Sequence, residues 1–64
     1  MSVKELATNI IETIDLANAT NGEIIAALGM TLTYVLKECP ENEALCEANR
    51  FCKTLKIAIA QEYQ

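Results

Sequence analysis

The sequence contains no histidine, and only one aspartate, one proline and two glycines among its 64 residues. Histidine is the side chain that most often acts as a general base near neutral pH, and it commonly completes tetrahedral zinc sites. The chain also has no glycine-rich loop of the kind that cradles phosphates. These absences argue against catalysis, so we predict a protein that is not an enzyme and that has no cofactor and no metal.

Cysteine is scarce too, and the three copies, Cys39, Cys46 and Cys52, cannot all pair within one chain. The chain does not open with a basic segment followed by an apolar stretch and a small-residue cleavage site, so we expect a reducing, cytoplasmic location. Cys39 and Cys52 fit small buried side chains on apolar stripes. Cys46 lies one helical turn before Arg50, which would favour a thiolate if both are exposed, although a small interface side chain is the simpler interpretation.

Basic residues are few, because five Lys and Arg stand against nine Asp and Glu and give a formal net charge of −4. This balance argues against a protein that coats nucleic acid, since backbone binding depends on clustered cations. Four of the five basic residues nevertheless lie in the second half of the chain. They form a candidate anion-binding set that could converge from different subunits beside Tyr34 and hold a ligand such as a nucleotide; its members are Lys37, Arg50, Lys53 and Lys56.

What the sequence does contain is apolar residues at helical spacing, bounded by helix-start signals. Ser2 to Glu5 and Thr20 to Glu23 are both capping boxes, in which the first side chain and the fourth each bond the other residue's backbone N–H. Asn18 and Gly22 favour the left-handed backbone that closes a helix, and Pro40 ends the second helix and suits the start of a third. We therefore predict helices at about 2–18, 21–38 and 41–62 in one domain, residues 1–64.

The predicted fold is all-α, a small antiparallel three-helix bundle or a helical hairpin stack, completed by oligomerisation. The central helix is apolar on almost every side, which predicts that its main stripe is buried in a core. That stripe consists of Ile24, Ile25, Leu28, Leu32, Val35, Leu36 and Cys39. A membrane span is excluded by length, because the uncharged run between Glu23 and Lys37 has 13 residues where about 20 are needed.

Two further strips carry apolar residues outside the main stripes. One lies behind the central helix at Ala27, Met30 and Tyr34, and the other lies on the back of the third helix, where Cys46 and Ile57 flank Arg50 and Lys53. Both are candidate interfaces, because methionine and tyrosine offer adaptable apolar contact. Burial of the first strip inside a three-helix core is an equally good interpretation.

Residues Ile24 to Val35 resemble a helix-turn-helix, with alanines, Gly29 at the turn position and a second segment in the place of the recognition helix. The resemblance implies a DNA-binding regulator. In the segment after Gly29, however, Lys37 is the nearest cation and no arginine is present to bind a guanine edge. Gly29 is equally compatible with a continuous helix that needs close packing.

The helices have more apolar surface than so short a chain can bury, and that surface carries no catalytic or metal-binding residues. This combination indicates a protein–protein interaction module. We expect a homo-oligomer that also binds another protein, of the regulator or inhibitor type found among small acidic proteins, phage-borne ones included. A binder of a small anionic ligand is the alternative, and DNA binding by the helix-turn-helix is a third hypothesis.

Overall fold

The computed structural model describes residues Met1–Gln64 and contains three helices and no strand. They are α1 (Val3–Leu16), α2 (Asn21–Leu36) and α3 (Glu41–Glu62). The three predicted helices are confirmed, and α1 and α2 each end two residues earlier than the sequence pattern indicates. The chain forms two compact units, Met1–Met30 and Thr31–Gln64.

The first unit begins with a capped helix. The Ser2 hydroxyl accepts a hydrogen bond from the Glu5 backbone N–H at 3.1 Å, as the capping box predicts. The predicted return bond differs, because the Glu5 carboxylate accepts from the Ser2 hydroxyl at 3.1 Å and not from its backbone N–H. At the other end, the Ala17 N–H bonds to Ile14 O, and Asn18 takes a left-handed conformation with φ of 52°. Asparagine tolerates that conformation better than most residues, which is why α1 ends here.

The second capping box starts α2 and forms in both directions. Thr20 Oγ1 accepts from the Glu23 N–H at 3.2 Å, and Glu23 Oε1 accepts from the Thr20 N–H at 2.9 Å. The bond from the Thr20 backbone, followed by that with the Thr20 side chain, lowers the pKa of Glu23 below its ordinary value of 4.5. From this start α2 continues through Gly29 to Leu36 without a break, so the turn that a helix-turn-helix requires at Gly29 does not form.

The second unit contains the end of α2 and all of α3, joined at a corner around Pro40. The Cys39 N–H bonds to Leu36 O at 3.0 Å, and the Ala44 N–H bonds to Pro40 O at 2.9 Å. Pro40 has φ of −57° and stands directly before the first residue of α3, where its missing N–H is not needed. Glu41 and Glu43 follow in the first turn, at the positive end of the helix dipole.

No residue of either unit is buried, so neither unit forms the predicted core by itself. Within each unit, no residues separated by twelve or more positions have Cα atoms within 8 Å of each other. Side chains near the two corners are the most covered, and they are half-buried: Ile14, Ile24, Leu32, Leu36, Ala44 and Ala48. The burial predicted for the central helix was wrong for one chain alone, because packing at a corner covers one end of a stripe and leaves the rest in water.

Candidate interaction surfaces

An uncovered apolar stripe lies on α3. Phe51, Leu55 and Ile59 have 50 %, 46 % and 49 % of their surface exposed, and they repeat at spacings of four. The stripe continues toward the start of α3 through Ala48 and Ala44, which are half-buried at the corner with α2. Residues three or four apart lie on one face of a helix, so these side chains form one continuous strip. We call it the α3 stripe: Ala44, Ala48, Phe51, Leu55 and Ile59.

A groove of about 360 Å³ lies at the α2–α3 corner of the second unit. One side is built by the end of α2 and the connection after it, and the other by the first two turns of α3. Its lining is mostly apolar, with one cation and one carboxylate at the edge: Thr33, Leu36, Lys37, Cys39, Glu41, Ala44, Leu45 and Ala48. The groove exists because α3 presents alanine at two successive turns, where larger side chains would fill the space. It is a cleft that apolar side chains can enter.

The interface residues predicted from the sequence are all exposed. In the first unit, Met30 has 75 % of its surface exposed, and Ala27 precedes it by one turn on α2. In the second unit, Tyr34 is 66 % exposed and Ile57 61 % exposed, and Cys46 is exposed on the same helix as Ile57. Neither Met30 nor Tyr34 is therefore buried inside the fold of one chain.

The four predicted anion-binding cations are not brought together. Lys37 Nζ lies 4.5 Å from the centre of the Tyr34 ring, a cation–π distance. Arg50 Nη1 lies 3.4 Å from Glu47 Oε1 in an exposed ion pair of the kind that adds at most about 1 kcal/mol. The Cα atom of Lys37 is more than 8 Å from those of Arg50, Lys53 and Lys56. One chain thus offers separate cations, of which Lys37 already contacts the aromatic ring.

The cysteines, the possible metal ligands and the apolar length of the helices complete the description. Cys39, Cys46 and Cys52 are free and exposed, so the burial predicted for Cys39 and Cys52 is also wrong for one chain alone. No group of three or more His, Cys, Asp or Glu side chains lies close enough to hold a metal ion. No helix combines the length and the apolarity that crossing a membrane would need.

Sequence reasoning missed the groove. The available signal was the size pattern of α3, in which Ala44 and Ala48 precede Phe51 and Leu55 along one face. Small residues before large ones along one face leave space beside the small ones, which is where the groove lies. Comparison of the chain with protein-family models, with curated proteins and with solved structures finds no match.

Proposed function

We propose that this chain is a non-catalytic helical protein–protein interaction module that self-associates and then occupies the surface of another protein, as a regulator or inhibitor does. The observation that carries the proposal is the exposure of large apolar side chains that repeat along one face of α3 in the second unit. Phe51, Leu55 and Ile59 have 50 %, 46 % and 49 % of their surface exposed.

These apolar side chains lie three or four residues apart and so share one face of the helix. Isolated exposed apolar side chains are ordinary on a protein surface, but contiguous patches larger than a few hundred Å² mark interaction sites. The half-exposed side chains of the α3 stripe, in particular Phe51 and Leu55, lie beside a cleft, and burial against a second copy would remove them from water.

Two kinds of apolar surface support two roles. The α3 stripe and the groove are the candidates for self-association. Met30, Tyr34 and Ile57 lie outside that stripe and carry adaptable side chains, so they are candidates for contact with a different protein. We place the protein in the cytoplasm on the strength of its three free cysteines.

Light scattering coupled to size exclusion, in reducing buffer and at two protein concentrations about 50-fold apart, tests self-association. The proposal expects a mass at least twice the 7.0 kDa of one chain at the higher concentration. A mass of one chain at both concentrations would overturn it. Reducing agent matters because exposed cysteines can form disulfide-linked species that resemble an assembly.

A binder of a small anionic ligand is the second candidate, and the Lys37–Tyr34 contact favours it. A cation resting on an aromatic ring is a pair that suits a phosphate beside a stacked base. Further cations would have to come from other subunits. A thermal-shift panel of mono- and dinucleotides tests this candidate, since a ligand that binds only the folded state raises the melting temperature. An unchanged melting temperature across the panel at millimolar ligand would eliminate it.

A further inference from the structure

Asn21 is followed by Gly22, and the two residues lie in the first turn of α2. The side-chain carbon of an asparagine is open to attack by the backbone nitrogen of the next residue, and a side chain on that next residue hinders the attack. Gly22 has no side chain, so it offers the least hindrance. Every other asparagine of the chain precedes a residue with a side chain: Asn9, Asn18, Asn42 and Asn49.

The structure leaves both reacting groups accessible. Asn21 and Gly22 are exposed. The first backbone bond of α2 joins the Ile24 N–H to Thr20 O at 3.0 Å, so the Gly22 N–H comes before the helical ladder and has no carbonyl of the helix to bond. A Cβ atom on Gly22 would approach only Thr20 Oγ1, at 4.0 Å, which shows that the backbone here is open.

The capping box holds this dipeptide in the helix. Its two bonds, of 3.2 and 2.9 Å, join Thr20 to Glu23 and therefore run across Asn21 and Gly22. Helical backbone keeps the Gly22 nitrogen away from the approach that attack on the Asn21 side chain needs, so the first turn must open before the two groups react. Helix ends open at small cost in free energy, because few interactions are lost. The rate of reaction therefore depends on how often the cap opens.

We propose that Asn21 is a site of spontaneous deamidation and that the isoaspartyl product removes the cap of α2. The Gly22 nitrogen forms a bond to Asn21 Cγ, the bond from Cγ to Nδ2 breaks, and ammonia leaves with the proton that the nitrogen gives up. This closes a succinimide ring, which water then opens. Addition of water at Cγ gives aspartate, and addition at the main-chain carbonyl carbon gives isoaspartate, whose main chain continues through Cβ and Cγ.

The two products act differently on α2. Aspartate leaves the main chain between Thr20 and Glu23 unchanged and adds a negative charge at the positive end of the helix dipole, which favours the helix. Isoaspartate adds one carbon atom to the main chain between these two residues, so the two bonds of the capping box are not both kept. The site lies on α2 alone and does not depend on self-association.

Ageing of the full chain in mildly alkaline, reducing buffer tests the site. Tandem mass spectrometry of tryptic peptides locates the modified asparagine, and an isoaspartyl methyltransferase measures the isoaspartate. We expect Asn21 to be modified before any other asparagine. Asn18 is the sharpest comparison, because it lies outside the helices, with φ of 52°, but precedes alanine. Faster modification of Asn18 than of Asn21 would overturn the proposal.

Thr20→Ala tests whether the cap controls the reaction. Loss of the Thr20 oxygen should raise the rate at Asn21 by up to about 5-fold, the factor by which loss of an N-cap favours the open helix end. Thr8→Ala, whose hydroxyl bonds to Lys4 O inside α1, should leave the rate unchanged. Addition of Gly22→Ala to Thr20→Ala leaves the helix start uncapped but hinders the attack, so it should suppress the reaction.

An equal rate in the original chain and in Thr20→Ala would overturn control by the cap. Rapid reaction in the double variant would overturn the part assigned to Gly22. Thermal unfolding followed by circular dichroism tests the product: the aged chain should melt at a lower temperature than the original, as Thr20→Ala does, while Asn21→Asp should melt at the same temperature or higher. An aged, isoaspartate-rich chain that melts like the original would overturn the loss of the cap.

Discussion

The first turn of α2 and the second half of α3 differ in how far their residues find partners within one chain. At the start of α2, Thr20 and Glu23 satisfy each other's backbone N–H groups in both directions. In the second half of α3, Phe51 and Leu55 keep about half of their surface in water. Interactions between residues three apart can be completed by the local chain, whereas an apolar stripe needs a second surface, which the second unit alone does not provide.

The difference predicts that substitutions in the α3 stripe will act on assembly and that substitutions at the caps will act on single helices. The largest expected effect is that of Phe51→Ala. Truncation of a buried aromatic at an interface centre costs about 2 kcal/mol or more, and a two-fold contact loses it twice, so we expect self-association to weaken about 1,000-fold. Sedimentation equilibrium measures this change.

Ile57→Ala is the matched control for Phe51→Ala, because it removes a large apolar side chain from the same helix outside the stripe. Its effect on self-association should be less than about 3-fold. Equal losses from the two variants would mean that α3 does not contact its copy through the stripe.

The next effect is that of Gly29→Ala. A Cβ atom at Gly29 would meet no other residue within 4 Å, and glycine inside a helix costs about 1 kcal/mol relative to alanine. We therefore expect the melting temperature to rise and helicity to increase. Gly22→Ala, in the first turn of α2, is the comparison and should gain less. A loss of stability at Gly29 would show that another surface packs closely there in the assembly.

Loss of the α2 cap should have a similar or smaller effect. Thr20→Ala removes the oxygen that accepts from the Glu23 N–H, which costs about 1 kcal/mol of stability. Thr8→Ala is the control, since the Thr8 hydroxyl bonds to Lys4 O inside α1 and caps nothing. Thermal unfolding followed by circular dichroism should show a lower midpoint for Thr20→Ala, with the Thr8 variant unchanged or slightly more stable.

These substitutions separate what the sequence could predict from what it could not. The helix starts were predictable, because a capping box can be recognised from four consecutive residues such as Thr20 to Glu23. The end of α1 was predictable to within two residues, since Asn18 tolerates the left-handed conformation but does not fix which carbonyl is bonded last. The role of the α3 stripe was not predictable. Periodicity shows which residues share a face, but it does not show whether the surface that covers them belongs to the same chain.

The smallest expected effect is the pH dependence of the α2 cap. The pKa of Glu23 is lowered in the folded chain, so the bond to the Thr20 N–H stabilises α2 above pH 4.5 and is lost as the pH falls through the lowered value. Carboxyl chemical shifts of Glu23 measured by NMR should show the low midpoint. In Thr20→Ala that midpoint should move upward, and an unchanged midpoint would mean that the Thr20 side chain has no part in the shift.

Sedimentation equilibrium of the original chain and of Phe51→Ala, in the same reducing buffer, tests the central claim most directly. The account predicts that the original chain sediments at twice the 7.0 kDa of one chain, or an even multiple of it, and that Phe51→Ala sediments as a single chain at the same concentration. A single-chain mass for both, or an assembly that survives Phe51→Ala unchanged, would contradict it.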